Sequence, residues 1–452
     1  MISAPAGRPG WTRVPGAGGL LSLLLLSFLL LSGRAWAQDS GMPAADAPPA
    51  TAPAEAPTAG NRLGLGLSLR GGYWSSDRDL NDNTDFSAGS IWLRAAPKLP
   101  GSWTAKLEGW VQGQSSDAGS RHRQELREAY AAYLGEDFDV RFGRQIAVWG
   151  RADSINPTDN LSSRDFTLLF PEVDDLRRGN GMVRVSRAFE GYTLSAYWLP
   201  EFRPNVYPTG ALPPGIRFGD DEQPEQADQS AFKLDRTGGT VDWSVSYFDG
   251  LDRNPDLAVQ RIAPAAVTLQ RRYHRIRVVG GDFAFNLGRF GFRGEAAYTD
   301  TADSNGTDPQ VKNPFFFAVL GADRSFFEYL NINVQYLFRQ TGSYQDPHSI
   351  ANPALRPVAI QNAAAAGQLT PTQNGMSTRI GYKWFHETLE ADLTAVGYFE
   401  KGDTLLRAKL LYRWTDTLRV SVGEETYDGP SESLFGLQKK NSATFAEMAY
   451  GF

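Results

Sequence analysis

Residues 444–452 read TFAEMAYGF. Thr444, Ala446, Met448, Tyr450 and Phe452 fall on one face at period two, and the chain stops on an aromatic ring. In a soluble strand the apolar face turns to a core, and a terminal Phe adds nothing. In a strand that closes a barrel in a bilayer, that face meets acyl chains and the aromatics sit at the interface. The stretch poses a choice of solvent on which every other strand depends.

The opposite end bears on that choice. Arg8 and Arg13 precede an apolar run from Leu20 to Leu31, and Ala35-Trp36-Ala37 places small residues before Gln38. This is the form of a secretory signal over residues 1–37. The run is about 12 residues, short of the ~20 that a spanning helix needs. Residues 38–60 are Ala/Pro-rich and are expected to form a disordered leader. The chain has no cysteine, which excludes disulfides and thiolate metal sites. Its net charge of −6 gives no ground for a nucleic-acid partner.

Residues 61–452 divide into alternating segments of the length a tilted transmembrane strand requires. SWTAKLEGWVQGQ sets Trp103, Leu107 and Val111 against Lys106, Glu108 and Gln112. NINVQYLFRQ sets Ile332, Val334, Tyr336 and Phe338 against Asn331, Asn333, Gln335 and Arg339. LLRAKLLYRW sets Leu406, Leu410 and Tyr412 against Arg407, Lys409 and Arg413. Short turns are expected at 97–101, 135–137, 189–191, 236–239, 286–289, 322–325, 385–388 and 414–417. Between them fall polar loops near 74–85, 115–121, 150–178, 205–226, 251–267, 302–310, 341–373, 401–403 and 428–440. Short and long connections sorted by parity are the habit of outer-membrane barrels. The expectation is an all-β, antiparallel, up-and-down transmembrane barrel of about 18 strands, between 16 and 18.

If the apolar alternates face lipid, their neighbours line the lumen. The expected lumen set is Arg141, Arg144, Arg184, Arg275, Arg277, Arg293, Arg379, Arg407, Lys409 and Arg413. Arg144 breaks the alternation of its strand, through a bulge at Gly143 or by snorkelling. Rings of Arg and Lys favour anions, although inward charges must also pair to brace the wall. After RFGRQIAVWG (141–150) the chain enters a charged loop of about 30 residues. Its apolar run, Phe166 to Phe170, argues for packing, most naturally inward. The expected constriction residues are Arg151, Asp153, Asp159, Arg164, Asp165, Phe166, Arg177 and Arg178.

The four histidines, His122, His274, His348 and His386, accompany no Gly-x-Ser-x-Gly and no nucleophile–base grouping, so catalysis is not expected. The acids of residues 153–175 lack the register of a calcium loop, and the interleaved arginines compete for them; no metal or cofactor is expected. A passive channel for solutes or an anionic polymer is the leading expectation. The alternative is a gated transporter of hydrophobic compounds, working beside an inner-membrane efflux system, with the Phe-rich segments 313–330 and 165–170 as its apolar pocket.

RFGRQIAVWG followed by NPTD (156–159) and RDF (164–166) resembles the strand–loop signature of porin-like outer-membrane barrels, the alginate-export-like barrels among them. That resemblance implies an Arg-lined lumen that passes an anionic polysaccharide, with roles for Arg141, Arg144 and Arg151. The ending Tyr450-x-Phe452 resembles the sorting signal of Gram-negative outer-membrane barrels, which implies lipid, lipopolysaccharide and the barrel-assembly machinery as partners. Periplasmic export or efflux components are a further expected partner.

Overall fold

The computed structural model describes residues 63–76, 85–116, 119–153, 155–208 and 212–452, without 213, 223, 225, 226 and 265. The expected signal (1–37) and leader (38–60) lie outside these residues. No helix among the described residues is long and apolar enough to cross a membrane. The crossing is made by strands.

One sheet of 18 strands closes on itself. The strands are β1 (Gly66–Ser76), β2 (Asp85–Ala95), β3 (Trp103–Ser116), β4 (Gly119–Leu134), β5 (Phe138–Gln145) and β6 (Asn180–Phe189). There follow β7 (Tyr192–Leu199), β8 (Gln229–Arg236), β9 (Asp242–Leu251), β10 (Arg275–Leu287), β11 (Phe290–Asp300) and β12 (Phe315–Phe326). The last six are β13 (Leu330–Thr341), β14 (Thr372–Trp384), β15 (Leu389–Tyr398), β16 (Asp403–Arg413), β17 (Leu418–Asp428) and β18 (Ala443–Gly451). Each pairs antiparallel with its neighbours in sequence, and β18 returns to β1 through pairs such as Tyr450 with Leu69. The terminal Phe452 adds a backbone N–H to Leu67 O at 2.8 Å, and its ring meets Tyr450 edge-on at 4.6 Å.

The dyad of the sequence becomes two faces. Leu69, Ile91, Val111, Trp198, Val245, Leu320, Leu406 and Met448 are exposed around the outside, while the residues beside them are covered. An apolar band this extensive has no place in water and suits acyl chains. The polar alternates point into a lumen that parts of the connecting loops enter and narrow. Four apolar clusters lie inside, each combining wall residues with parts of the connecting loops.

Eight turns lie on the side of the chain ends: 96–102, 135–137, 190–191, 237–241, 288–289, 327–329, 385–388 and 414–417. The one expected at 322–325 falls at 327–329, because β12 and β13 stay paired as far as Phe326 and Leu330. Phe327 and Glu328 then take positive φ of 54° and 65° to reverse the chain. On the opposite side the connections are longer, with two exceptions. Residues 399–402 are short, and the loop expected near 115–121 is a tight reversal, since β3 and β4 remain in register out to Ser116 and Gly119.

The long loops interlock over the mouth. A hairpin of Asp256–Ala263 and Ala266–Arg272 takes Ile216–Phe218 as a parallel neighbour. The helix α1 (Arg356–Ala366) has Pro in its first turn and ends on Gly367 at φ 66°, the left-handed cap that glycine tolerates. Its Asn362 exchanges bonds with Leu257 N and O at 2.8 and 2.9 Å, which ties the helix to the hairpin. His348 joins two loops, its Nδ1 3.0 Å from Asp346 and its Nε2 3.0 Å from Glu432.

Two outcomes follow. Gly143 has φ 119°, and a Cβ there would run into the Ala129 carbonyl. Gly143→Val should lose about 1–3 kcal/mol in a urea folding equilibrium in detergent, whereas Gly66→Ala, in open space, should not. The hydrogen bonds to Glu432 and Asp346 raise the His348 pKa above 6.5. The tie it makes is therefore complete below 6.5 and is lost as pH rises through the raised value. NMR of histidine-labelled protein should show that upward shift, and Glu432→Gln should reduce it.

Candidate functional site

The feature that organises the lumen is the connection 146–179. β5 ends at Gln145, whose amide donates to Met182 O at 2.9 Å and so fixes the point of departure. From there Trp149, 3 % exposed, turns inward and meets the Tyr197 ring edge-on at 5.5 Å. With Leu161 it joins a cluster that includes Met182, Leu199, Phe248, Ile276 and Val278 of the wall. Later in the loop Leu168 and Phe170 pack on Trp92 and Trp110, and Leu169 packs on Trp74, Phe86 and Phe445. One connection thus touches inward residues from β1 to β18.

Charge fixes what packing places. Arg151 pairs with Asp282 of β10 and, at 3.7 Å, with Asp235 of β8. Asp153 meets Arg379 of β14 at 3.4 Å. Asp165 meets Arg123 of β4 at 3.2 Å, and Arg178 meets Glu125 of the same strand at 3.4 Å. Glu172 receives Lys409 of β16 at 2.8 Å, and Asp175 receives Arg70 of β1 at 2.6 Å. Within the loop, Arg164 and Arg177 converge on Asp159 at 3.0 and 2.8 Å. Phe166 stacks on Tyr207 at 5.0 Å. Burial acts to raise the Glu172 pKa, but Lys409 beside it prevails and holds the carboxyl below its ordinary value. Acid that reached this lowered value would release the tie, which is present at higher pH.

The centre of the arrangement is Glu295 on β11, a buried carboxylate on the wall. It accepts from Thr158 N and Thr158 Oγ1 at 2.8 Å each, from Asn156 Nδ2 at 3.1 Å and from Ala152 N at 3.2 Å. Gly150 has φ 93°, and any Cβ there would strike this carboxylate. The loop end is closed by Arg253, whose guanidinium donates to the carbonyls of Asn160, Leu161 and Arg203 at 2.7–2.8 Å.

Most of the expected lumen set lies on the inner face. Arg141 lies over the Tyr130 ring at 4.5 Å, and Arg184 over Tyr197 at 5.6 Å. Arg293 pairs with Asp323 at 3.4 Å, Arg379 with Asp392 at 2.6 Å, Arg407 with Glu425 at 3.0 Å and Arg413 with Glu390 at 2.7 Å. Three members do not belong there. Arg275 and Arg277 share the outward face with Val279, and both meet Asp249, at 2.5 and 3.6 Å. Their apolar neighbours Ile276 and Val278 point inward because the loop gives them Trp149 and Leu161 to pack on. Arg144 is in register with Ala129 and Gly181 on the outward parity of Phe142 and Val183. There it pairs with Glu201 at 3.0 Å, in the space that Gly181 leaves. Arg70, Arg123, Arg203 and Arg253 were not among the expected residues. Arg123 was obscured by the loop assumed near 115–121, and the carbonyl-capping role of Arg253 has no local signal in sequence.

Replacing Glu295 with Leu leaves four loop donors facing an apolar group, at about 1–3 kcal/mol for each that stays unsatisfied. The variant should form barrels in which added protease cuts residues 146–179 faster than in the parent. A parental rate of cleavage in Glu295→Leu would show that the loop does not depend on this anchor.

Among curated proteins none matches the chain. Solved structures do, with low identity throughout. The crystal structure of Acinetobacter baumannii OccAB1 aligns with 8 % identity and a TM-score of 0.52, over 86 % of this chain and 96 % of that one. A. baumannii OccAB3 aligns with 10 % identity and a TM-score of 0.51, over 86 % and 98 %. Pseudomonas aeruginosa OccK5 (OpdH) aligns with 10 % identity and a TM-score of 0.50, over 86 % and 96 %. At such identities the likeness is one of fold, the closed 18-strand barrel. A family model matches residues 60–335, more than half of the sequence, and the chain belongs to that family, described as "Protein of unknown function (DUF1302)".

Proposed function

We propose that the protein is an outer-membrane channel of porin type that passes small anionic solutes through a narrowed lumen. The observation that carries this reading is an imbalance of exposure among the inward ion pairs near the turn side. Arg293 is 40 % exposed against 20 % for Asp323, and Arg379 is 43 % against 22 % for Asp392. Arg413, at 34 %, meets Glu390 at 24 %. In each case the acid is the more covered partner, so lumen water meets the cation. Rings of exposed Arg and Lys attract anions and repel cations.

Small solutes suit the lumen better than a polymer. An extended anionic chain, as the likeness to alginate-export-like barrels would imply, needs a clear bore, and residues 146–179 are anchored from β1 to β16 across it. The alternative, a gated transporter of hydrophobic compounds with an apolar pocket at 313–330 or 165–170, loses support because both segments are spent on packing. Phe317 joins Val319, Leu337 and Phe435, and Leu168 to Phe170 cover wall aromatics. On the channel reading, lipid and lipopolysaccharide surround the wall, and the barrel-assembly machinery recognises Tyr450 and Phe452.

Purified barrels in a planar bilayer under a KCl gradient should give a reversal potential on the chloride side. Changing Arg293 and Arg413 together to Ser should move that potential toward zero. A cation-selective parent, or a silent bilayer, would end the anion-channel reading.

A further inference from the structure

β5 and β6 bring two arginines face to face. Arg141 and Arg184 are direct partners in the register of the two strands, and both have the inward parity. Like charges set opposite each other on neighbouring strands repel and weaken the pairing. Elsewhere in the lumen such cations are answered by acids, as Arg293 is by Asp323 and Arg413 by Glu390. Here, among the described residues, neither guanidinium meets a carboxylate. Of the inward positions around the pair on β4 to β7, Asp139 alone is charged. It lies one inward step toward the turn side, is exposed, and pairs with neither arginine. The pair therefore has two cations to one acid, and that acid stands off.

Both side chains are held with donors to spare. The rings of Tyr130 and Tyr197 take the flat faces of Arg141 and Arg184. Stacking of this kind leaves the N–H edge of a guanidinium free to bond in its own plane. Arg184 Nε donates to Ser186 Oγ at 2.9 Å, and that hydroxyl is held in turn by Ser195 Oγ at 2.9 Å. The terminal nitrogens of Arg184 remain. The guanidinium of Arg141 makes no hydrogen bond among the described residues. Both arginines are half-buried, so lumen water reaches them. Met182, the next inward residue of β6 toward the loop side, is buried with Trp149 and Tyr197. The pair thus lies one step turnward of the place where the 146–179 loop packs on the wall.

We propose that Arg141 and Arg184 form an oxyanion-binding site on the lumen wall, which takes phosphate or the phosphomonoester group of a small solute. A carboxylate presents two oxygens, which a single guanidinium fork satisfies. A phosphate group carries a charge of about −1.5 to −2 and at least three strong acceptor oxygens. It matches two forks from adjacent strands and offsets both cations at once. The site rests on the reading of the lumen as an anion path, and it names the class of anion that pauses there.

The test is equilibrium dialysis of the purified barrel in detergent against radiolabelled inorganic phosphate, at about pH 8, where the dianion prevails. Saturable binding is expected, displaced by sulfate and not by acetate at equal ionic strength. Arg141→Gln and Arg184→Gln should each weaken it by about tenfold or more, the scale of one lost hydrogen bond to a charged group. Arg187→Gln, exposed on the outer face of the same strand, should leave it unchanged. Asp139→Asn should tighten it. In urea without phosphate, each glutamine variant should unfold at or above the parental midpoint, because the repulsion is relieved. Phosphate should raise the midpoint of the parent alone. Absence of saturable binding, equal displacement by acetate, or parental affinity in either glutamine variant would overturn the site. So would a glutamine variant less stable than the phosphate-free parent, since the arginines would then be fasteners. The dialysis needs no current: a silent or cation-selective parent that still binds phosphate would end the channel reading and uphold the site.

Discussion

The lumen obeys one electrostatic rule: a charge drawn in from water must find an opposite charge or a full set of hydrogen-bond donors. Glu295 shows the rule at its strictest, since a buried carboxylate holds four donors from a single stretch of loop. The same demand ties Asp153 to Arg379, Glu172 to Lys409 and Asp175 to Arg70, from different sectors of the wall. Remove this set of partners, and 146–179 would be a long polar insertion with no reason to enter the barrel. With it, the loop becomes the interior core that a barrel of this diameter otherwise lacks.

How far the fold could be read from sequence depends on what each inner face touches. In β3, β13 and β16 the inner face is largely polar and the outer apolar, so Trp103, Tyr336 and Leu406 sit where the alternation puts them. In β10 the rule inverts. Ile276 and Val278 are inside because a distant loop supplies apolar neighbours, and Arg275 and Arg277 are pushed to the outer face at the loop-side end. Local period alone cannot reveal such a partner. The strand count and the turns at 135–137, 385–388 and 414–417 rest on local signals and were legible. The true extent of β4, hidden behind a polar and glycine-bearing stretch, was not. The inward course of 146–179 was legible from Phe166 to Phe170, whereas its anchors on the wall were not.

Two kinds of arginine therefore share this protein. Those facing the loop, such as Arg123, Arg127 and Arg253, are consumed by carboxylates and carbonyl groups and act as fasteners. Those nearer the turn side, such as Arg293 and Arg413, keep part of their side chain in water while their acids are more covered. A count of basic residues in the lumen would merge the two. Their exposure separates the fasteners from the cations that lumen water meets.

The anchoring of the loop also orders events in time. Asp175 depends on Arg70, 105 residues earlier, and Glu172 on Lys409, 237 residues later. Neither latch can close until the first strand and the sixteenth stand in the same wall. A nascent barrel must then pass through a stage in which its interior is wet and its loop homeless, and the slowest contacts form last. The filling of the lumen, on this architecture, completes only once β1 and β16 share one wall.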